Sequence, residues 1–287
     1  MCGIAGVYNP EGVIVDEVVT MSKTLRHRGP DDEGFYLNYE GNASENFRGD
    51  DTISELQQLK HIAENSHKPQ LAFMHRRLSI LDVSALGHQP LSSDNERYTI
   101  VFNGEVYNFK EIRQELIAKG FQFKSNTDTE VVLNAFIAWG EKCVERFVGM
   151  WAFAIHDKQT NTLTLSRDRY GVKPLYFYQR GSYFAFASEI KALLKLFKVD
   201  QRISNENLGS YLSYGTTVNP YQNLFLYIED IEPGCNYSYN LNTGMLTKTP
   251  YYYLEKTAKT EKNSRAENAE KFEALFEDSM ALHLRSD

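Results

Sequence analysis

The sequence predicts an α+β fold built on antiparallel strands, and three observations carry that prediction. Four apolar runs, Trp151–His156, Leu163–Arg167, Leu175–Tyr178 and Tyr183–Ala187, follow one another across connections of at most seven residues. Parallel pairing needs a crossover of a dozen residues or more, so these runs read as antiparallel neighbours. Two earlier segments are helices by their ends. Asn108-Phe109-Lys110-Glu111 and Thr127-Asp128-Thr129-Glu130 each set a capping side chain three residues before an acid, and Gly120 and Gly140 supply the stops. Aromatic residues make up 13% of the chain, with 18 tyrosines, a usage that suits strands.

From the start of the chain, Ile4–Tyr8 is an apolar run that reads as a buried strand, holding the N-terminus rigid instead of letting it fray. Val13–Leu25 has helical character and runs into Arg26-His27-Arg28-Gly29-Pro30-Asp31-Asp32-Glu33-Gly34. Gly29-Pro30 and Gly34 punctuate a turn there, and the mixed charges suit a solvated loop. Phe35–Tyr39 is a strand. Glu40–Lys68 is polar and weakly periodic, with Leu56 and Leu59 as anchors, and reads as an inserted surface loop. Gln70–His75 resumes as a strand, and Gly87-His88-Gln89-Pro90-Leu91 is a loop. Tyr98–Phe102 then meets Asn103-Gly104, the dipeptide that most strongly signals a two-residue hairpin turn, with Glu105–Tyr107 beyond it.

The two capped helices carry Ile112, Leu116 and Ile117, and Val131, Val132, Ala135, Phe136 and Trp139. Past the four strands, Ser188–Leu194 and Ser204–Tyr214 read as helices, and Leu224–Ile231, Cys235–Leu241 and Met245–Tyr253 as short strands. A polar stretch, Glu255–Asn268, precedes an amphipathic helix with Phe272, Leu275, Phe276 and Leu282. That helix reaches the last residues, Leu284-Arg285-Ser286-Asp287, with nothing left to pack against.

The 287 residues allow one large domain, or a domain and part of another. A net charge of −7 without a basic block argues against nucleic acid or an anionic membrane as the main partner. No apolar run approaches 18 residues and no signal-peptide pattern opens the chain, so a cytoplasmic location is expected. Cys2, Cys143 and Cys235 are too few and scattered for a disulfide framework. Seven histidines without HxxxH or HExxH spacing argue against a dedicated metal site. Cys143 and Cys235 read as packing residues.

Cys2 is different, because removal of Met1 would give one residue both a thiol and a free α-amine. The reference pKa values are about 8.5 for the thiol and about 7.7–8.0 for the amine. An N-terminal amine near neutrality is a fitting base for a side-chain nucleophile. Acyl transfer also needs oxyanion donors and groups that recognise the substrate. Asn103 offers a side-chain amide and Gly104 a backbone N–H, both suitable oxyanion donors. Arg77 could pair with a carboxylate and Asp128 with an ammonium. Together, those two charges describe a receptor for a free amino acid. Taken alone, Asp128 is explained equally well as a first-turn acid favoured by the helix dipole.

Seven motifs in order carry a further resemblance: Met1-Cys2-Gly3-Ile4, Arg26–Asp31, His75–Ile80, Asn103–Asn108, Ser125–Val131, Arg167–Gly171 and Ser188-Glu189. The chain resembles the class II glutamine amidotransferases and, among them, the glutamine-hydrolysing asparagine synthetases, strongly over residues 1–200 and more loosely over 201–287. The resemblance implies an N-terminal-nucleophile hydrolase fold, a four-layer αββα sandwich of two antiparallel sheets between helices. It implies that Cys2 is the nucleophile and that Asn103 and Gly104 form the oxyanion hole. Arg77 would bind the α-carboxylate of L-glutamine, Asp128 its α-ammonium, and Leu78, Ile80 and Glu105 would line the pocket.

In that family a second domain follows, with an ATP-pyrophosphatase loop of the Ser-Gly-Gly-x-Asp-Ser type that is absent here. The expectation is an amidotransferase domain over 1–200, with 201–287 as connecting strands and the first helix of an incomplete synthetase domain. ATP and magnesium are expected only for that missing half, and no cofactor in this chain. Two other outcomes fit the same residues: an amidotransferase feeding another acceptor, as in surface-glycan synthesis, and a non-catalytic binding remnant.

Overall fold

The computed structural model describes residues 1–80, 82, 84–217, 221–257 and 263–285. The polar stretch expected over 255–268 and the end of the chain at 286–287 fall partly or wholly outside the described residues. The chain opens with β1 (Gly3–Tyr8), α1 (Val15–Leu25), β2 (Asp32–Asn38), β3 (Ser44–Arg48) and β4 (Leu71–Arg77). There follow β5 (Leu91–Ser92), β6 (Tyr98–Val106), α2 (Phe109–Ala118) and α3 (Asp128–Trp139). Next come β7 (Gly149–Asp157), β8 (Thr162–Arg167), β9 (Tyr176–Arg180), β10 (Tyr183–Ala187), α4 (Ile190–Leu193) and α5 (Asn205–Tyr214). The last elements are β11 (Ile228–Asp230), β12 (Cys235–Asn240), β13 (Leu246–Pro250), α6 (Leu254–Thr257) and α7 (Arg265–His283).

The strands form two antiparallel sheets, ordered β11-β9-β10-β1-β4-β2-β3 and β13-β12-β8-β7-β6-β5. Their inner faces meet through Ile4, Phe73, Val101, Ala154, Leu165, Phe184, Phe186 and Tyr239. Val18, Met21 and Leu25 of α1 and Leu193 of α4 cover the outer face of the first sheet, on Ala5, Val7, Phe35 and Met74. Ile112, Leu116, Val131, Val132 and Phe136 of α2 and α3 cover the second, on Ile100, Phe102, Trp151 and Phe153. The result is the expected four-layer αββα sandwich. Because both faces of β1 are buried, its side chains alternate between two apolar layers, which is why it reads as an unbroken apolar run. At Gly6 an added Cβ would lie 2.4 Å from the Phe186 ring, so only hydrogen fits.

Several local expectations are corrected. Asn103-Gly104 is not a hairpin turn: β6 runs straight through it, with Asn103 opposite Ala152 and Gly104 opposite Trp151. Nine residues of cross-strand pairing and burial override the dipeptide's turn preference. The charged segment 26–34 is not a solvated loop. Asp32 and Glu33 enter β2 and are buried, and Glu33 pairs with the buried guanidinium of Arg76 at 2.8 Å. The 40–68 stretch includes β3, an edge strand that pairs with β2 and buries Phe47.

Of the four strands read as consecutive neighbours, β7 pairs with β8 and β9 with β10. β8 and β9 lie in different sheets, because the connection 168–175 crosses the sandwich. Thr127 does cap α3, accepting from the Glu130 N–H at 3.2 Å. The Glu130 carboxylate turns instead to the N–H groups of Lys124 and Ser125. Asn108 makes no cap bond, because its side chain ties Arg146 O and Val148 N.

The strands past residue 200 complete the sandwich: β11 extends the first sheet, and β12 and β13 extend the second. The run expected as a strand over 224–231 forms one only at Ile228–Asp230. On α7, Phe272, Leu275 and Phe276 are exposed. The helix meets the sandwich at its end, where His283 stacks on Tyr107 and Arg285 donates to Tyr107 O. No helix among the described residues is long and apolar enough to cross a membrane.

Candidate active site

Cys2 sits at the head of β1, the middle strand of the seven-stranded sheet. The ladder to β4 begins one residue later, at Gly3 opposite Arg76, so the thiol is placed by strand pairing on both sides. Its sulfur faces Leu78, whose N–H donates to Sγ at 3.4 Å while the thiol reaches Leu78 O at 3.7 Å. Arg28 fixes the backbone, donating Nε to Cys2 O at 2.9 Å and Nη1 to Glu189 at 3.0 Å. Burial alone would raise the Glu189 carboxyl, but Lys191, Arg28 and His27 together hold it at about 2. Burial pushes the Cys2 thiol up, against the pull of the Leu78 amide, the terminal amine and Arg77. Met1 is joined to Cys2 here, so the Cys2 nitrogen is an amide and becomes an amine only on removal of Met1.

Across the cleft, β6 carries the two candidate oxyanion donors. The Asn103 side chain is 1% exposed, and its amide nitrogen has no hydrogen-bond partner. A buried donor without an acceptor is costly and rare. Alternation along the strand turns the N–H groups of residues 102, 104 and 106 to the edge away from β7. Side chains take two of them: Phe102 N–H donates to Gln89 Oε1 at 2.7 Å, and Val106 N–H to Asp128 Oδ2 at 3.0 Å. Gly104 lies between, facing the cleft. An added Cβ there would lie 2.5 Å from Met150 O, so the strand packs this closely only with glycine. The buried His75 Nε2 lies 3.1 Å from Phe102 O and ties the two sheets together beside this point.

Two charged groups, Arg77 and Asp128, line the same cleft. Arg77 closes β4, and its guanidinium donates to the carbonyls of Asp82 and Ser84. Gly87 presses on it so closely that an added Cβ would lie 1.9 Å from Nη2. Gly87→Ala is therefore expected to push the guanidinium off its place. If Arg77 holds the substrate carboxylate, KM for glutamine rises roughly tenfold with little change in kcat, the signature of lost uniform binding. Steady-state kinetics on the variant check this.

Asp128 opens α3 and is buried. Burial, helped by Glu105 and opposed by the Val106 amide, raises its carboxyl to about 7. The dipole and capping explanation accounts for its place in the helix but leaves that burial without a counter-charge.

One cleft is lined by Cys2, Arg77, Leu78, Ile80, Asn103, Gly104, Glu105 and Asp128. All eight residues singled out from the sequence thus meet. The lining also includes Gly87, Gln89, Thr129 and Lys173, none of them picked out beforehand as site residues. Gln89 bridges the two halves of the cleft, since its Nε2 donates to Thr129 on α3 at 3.2 Å while its Oε1 holds β6. Gly87 and Gln89 fall in a loop with one glycine and one proline, whose sequence signals only a turn. Lys173 follows the Arg167–Gly171 motif by two residues, but nothing in the sequence brings it to Cys2.

A family model for a glutamine amidotransferase domain matches residues 56–252. The glutamine-hydrolysing asparagine synthetase 3 of Bacillus subtilis is 32% identical over 292 residues, covering 100% of this chain and 42% of its own length. Asparagine synthetase 1 of the same organism is also 32% identical, covering 100% of this chain and 40% of its own. The chain therefore spans about two fifths of the length of these curated relatives. Among solved structures, the glutamine phosphoribosylpyrophosphate amidotransferase of B. subtilis superposes with a TM-score of 0.62 at 20% identity. That match covers 88% of this chain and 49% of the other, and it speaks for the fold.

Proposed function

The chain belongs to the glutamine amidotransferase family, and on that premise we propose that it hydrolyses L-glutamine to L-glutamate and ammonia through a thioester on Cys2. The observation that carries this reading is the buried, unpartnered amide of Asn103 in the same cleft as the Cys2 sulfur, a cleft that Arg77 and Asp128 also line. Glutamine would lie along the cleft, its α-carboxylate on Arg77 and its α-ammonium between Asp128 and Glu105. Its side-chain amide would then reach the sulfur, with Leu78 and Ile80 alongside.

Once Met1 is removed, the Cys2 α-amine takes the thiol proton and the sulfur attacks the amide carbon. The C=O electrons move onto oxygen, which Asn103 and the Gly104 N–H stabilise. Collapse re-forms the carbonyl and breaks the C–N bond, and the amine's proton goes to the departing nitrogen as ammonia leaves. Water then attacks the thioester, giving up a proton to the amine, and the thiol is restored as glutamate departs.

The test uses the full chain in two forms, with and without Met1. The trimmed form is expected to release glutamate and ammonia in equal amounts and to gain the mass of a glutamine-like electrophile at Cys2. The untrimmed form should do neither. A trimmed chain that neither hydrolyses glutamine nor takes the label at Cys2 would end this reading and favour a binding role.

Ammonia released here would serve a second reaction. The relatives covering the whole chain are asparagine synthetases, which supports aspartate as the acceptor, activated with ATP and magnesium in a separate synthetase domain. Adding that domain from a relative to the trimmed chain, with aspartate and ATP, should yield asparagine. A different amidated product would move the acceptor elsewhere.

Asp128 gives a pH signature that does not depend on catalysis. Its carboxyl stands at about 7 in the free protein, and an ammonium partner would pull it down. Below pH 7 glutamine must displace a proton from it. Affinity is then expected to weaken about tenfold per pH unit below 7, measured by calorimetry on a trimmed Cys2→Ala chain. The same raised value makes the folded state bind the proton more tightly than the unfolded chain does. Stability therefore falls as pH rises from about 4 towards 7 and stays lower above it. Asp128→Asn should raise the thermal midpoint at pH 8 while abolishing this binding dependence.

A further inference from the structure

Lys173 is the one charged side chain lining the cleft that this mechanism leaves unused. It lies on the 168–175 connection that crosses from one sheet to the other, and that connection is firmly held. The Asp168 carboxylate accepts from the N–H groups of Tyr170 and Val172 at 3.0 Å each and of Lys173 at 2.9 Å. Arg167 donates to Lys173 O at 2.9 Å and to Gly171 O at 3.0 Å. With both backbone groups of Lys173 fixed, its side chain has little freedom in where it emerges. It emerges into the cleft, lining it together with Cys2 and Glu105, and is only 4% exposed. Among the described residues its ammonium has neither a hydrogen bond nor an ion pair. An ammonium on a largely buried side chain, opening only into the cleft and without a counter-ion, is costly, and such groups concentrate where chemistry needs the charge.

We propose that Lys173 supplies the counter-charge for the Cys2 thiolate. The inference rests on Cys2 being the nucleophile. When the thiol proton passes to the α-amine, negative charge is left on a sulfur surrounded by desolvating protein. The fixed groups around it are of mixed sign: Arg77 and Arg28 are cationic, while Asp128 and Glu105 are acidic. Arg77 and Arg28 are both engaged elsewhere, with the carbonyls of Asp82 and Ser84 and with Glu189. Lys173 is the cation in the cleft with no such engagement. Its electrostatic neighbours are Glu105, Cys2, Arg28 and Asp168, in that order of influence after burial, and the Met1 amine of the untrimmed chain in turn feels Lys173 and Arg28. Burial itself lowers the pKa of the Lys173 ammonium, as expected for a charge held without a partner.

The experiment follows Cys2 alkylation by iodoacetamide against pH, read by peptide mass on the full trimmed chain. Lys173→Met is expected to move the apparent thiol pKa up by about one unit, a tenfold loss of thiolate at neutral pH. It should lower kcat/KM for glutamine at pH 7 by a similar factor, and Lys173→Arg should restore most of both. The Lys173→Met thermal midpoint should rise, because an unpaired buried charge is removed, whereas loss of a merely structural lysine would lower it. An alkylation profile unchanged in folded Lys173→Met overturns the proposal. Lys173→Gln provides the same reading if the methionine variant does not fold. The alkylation profile reports on Lys173 even if glutamine proves not to be the substrate, so the two readings fail separately.

Discussion

Cys2→Ala should abolish glutamate release from the trimmed chain while leaving glutamine binding almost intact. Removing the nucleophile of a comparable acyl-transfer site costs turnover ~10⁶-fold, and the remaining groups rescue little of it because they act as a unit. Binding is a separate matter. Arg77 and Asp128 are held by Asp82 O, Ser84 O and the Val106 amide, none of which involves the sulfur. The thiol's own contacts are long, 3.4 and 3.7 Å to Leu78, so replacing it with a methyl group disturbs the strand little. The variant should therefore melt near the parent temperature, and saturating glutamine should raise that temperature by mass action. Glutamate release by Cys2→Ala above the uncatalysed rate would refute the assignment of the nucleophile.

Asn103→Ala should lower kcat by about 10²–10³, the cost of losing one oxyanion donor, with KM little changed. Stability separates this role from a structural one. In the free protein the Asn103 amide nitrogen is buried without an acceptor, a situation that costs about 1–3 kcal/mol. Truncation removes that penalty, and the small cavity it opens works against the gain. The thermal midpoint should consequently hold or rise as turnover collapses. A variant that melts well below the parent with kcat intact would make Asn103 a packing residue. Asn103→Asp should be slower still, since a carboxylate there would repel the developing oxyanion.

The sequence disclosed the groups whose chemistry is local and concealed those placed by distant pairing. Cys2 stands out because loss of Met1 would put a thiol and a free amine on one residue, and because the other motifs accompany it in order, and Asp128 because a helix start is written in its neighbours. Asn103 does line the cleft, as its side-chain chemistry leads one to expect, but it lies in a strand and not in a turn. The dipeptide signal is local, whereas the nine-residue ladder to β7 that overrides it depends on residues 149–157. The same limit hid the burial of Glu33, whose partner Arg76 lies 43 residues away in sequence (76 − 33). Gly87 and Lys173 come to the cleft only through loops folded back on the sandwich, and no periodicity or spacing records that. The layers were more legible, because alternation in the strands and capped amphipathic helices are written residue by residue.

Placing Cys2 at the head of a middle strand also sets a timetable for making the enzyme. Cys2 is made well before β10, and β1 gains that neighbour only after Ala187 has been synthesised. At about 5–20 residues per second that delay is roughly 10–40 s. During it β1 lacks one of the two strands that flank it, which leaves the N-terminus more open to an aminopeptidase that clips one residue. Any peptide fused ahead of Met1 that outlasts this interval would be expected to leave a folded protein whose sulfur has no base.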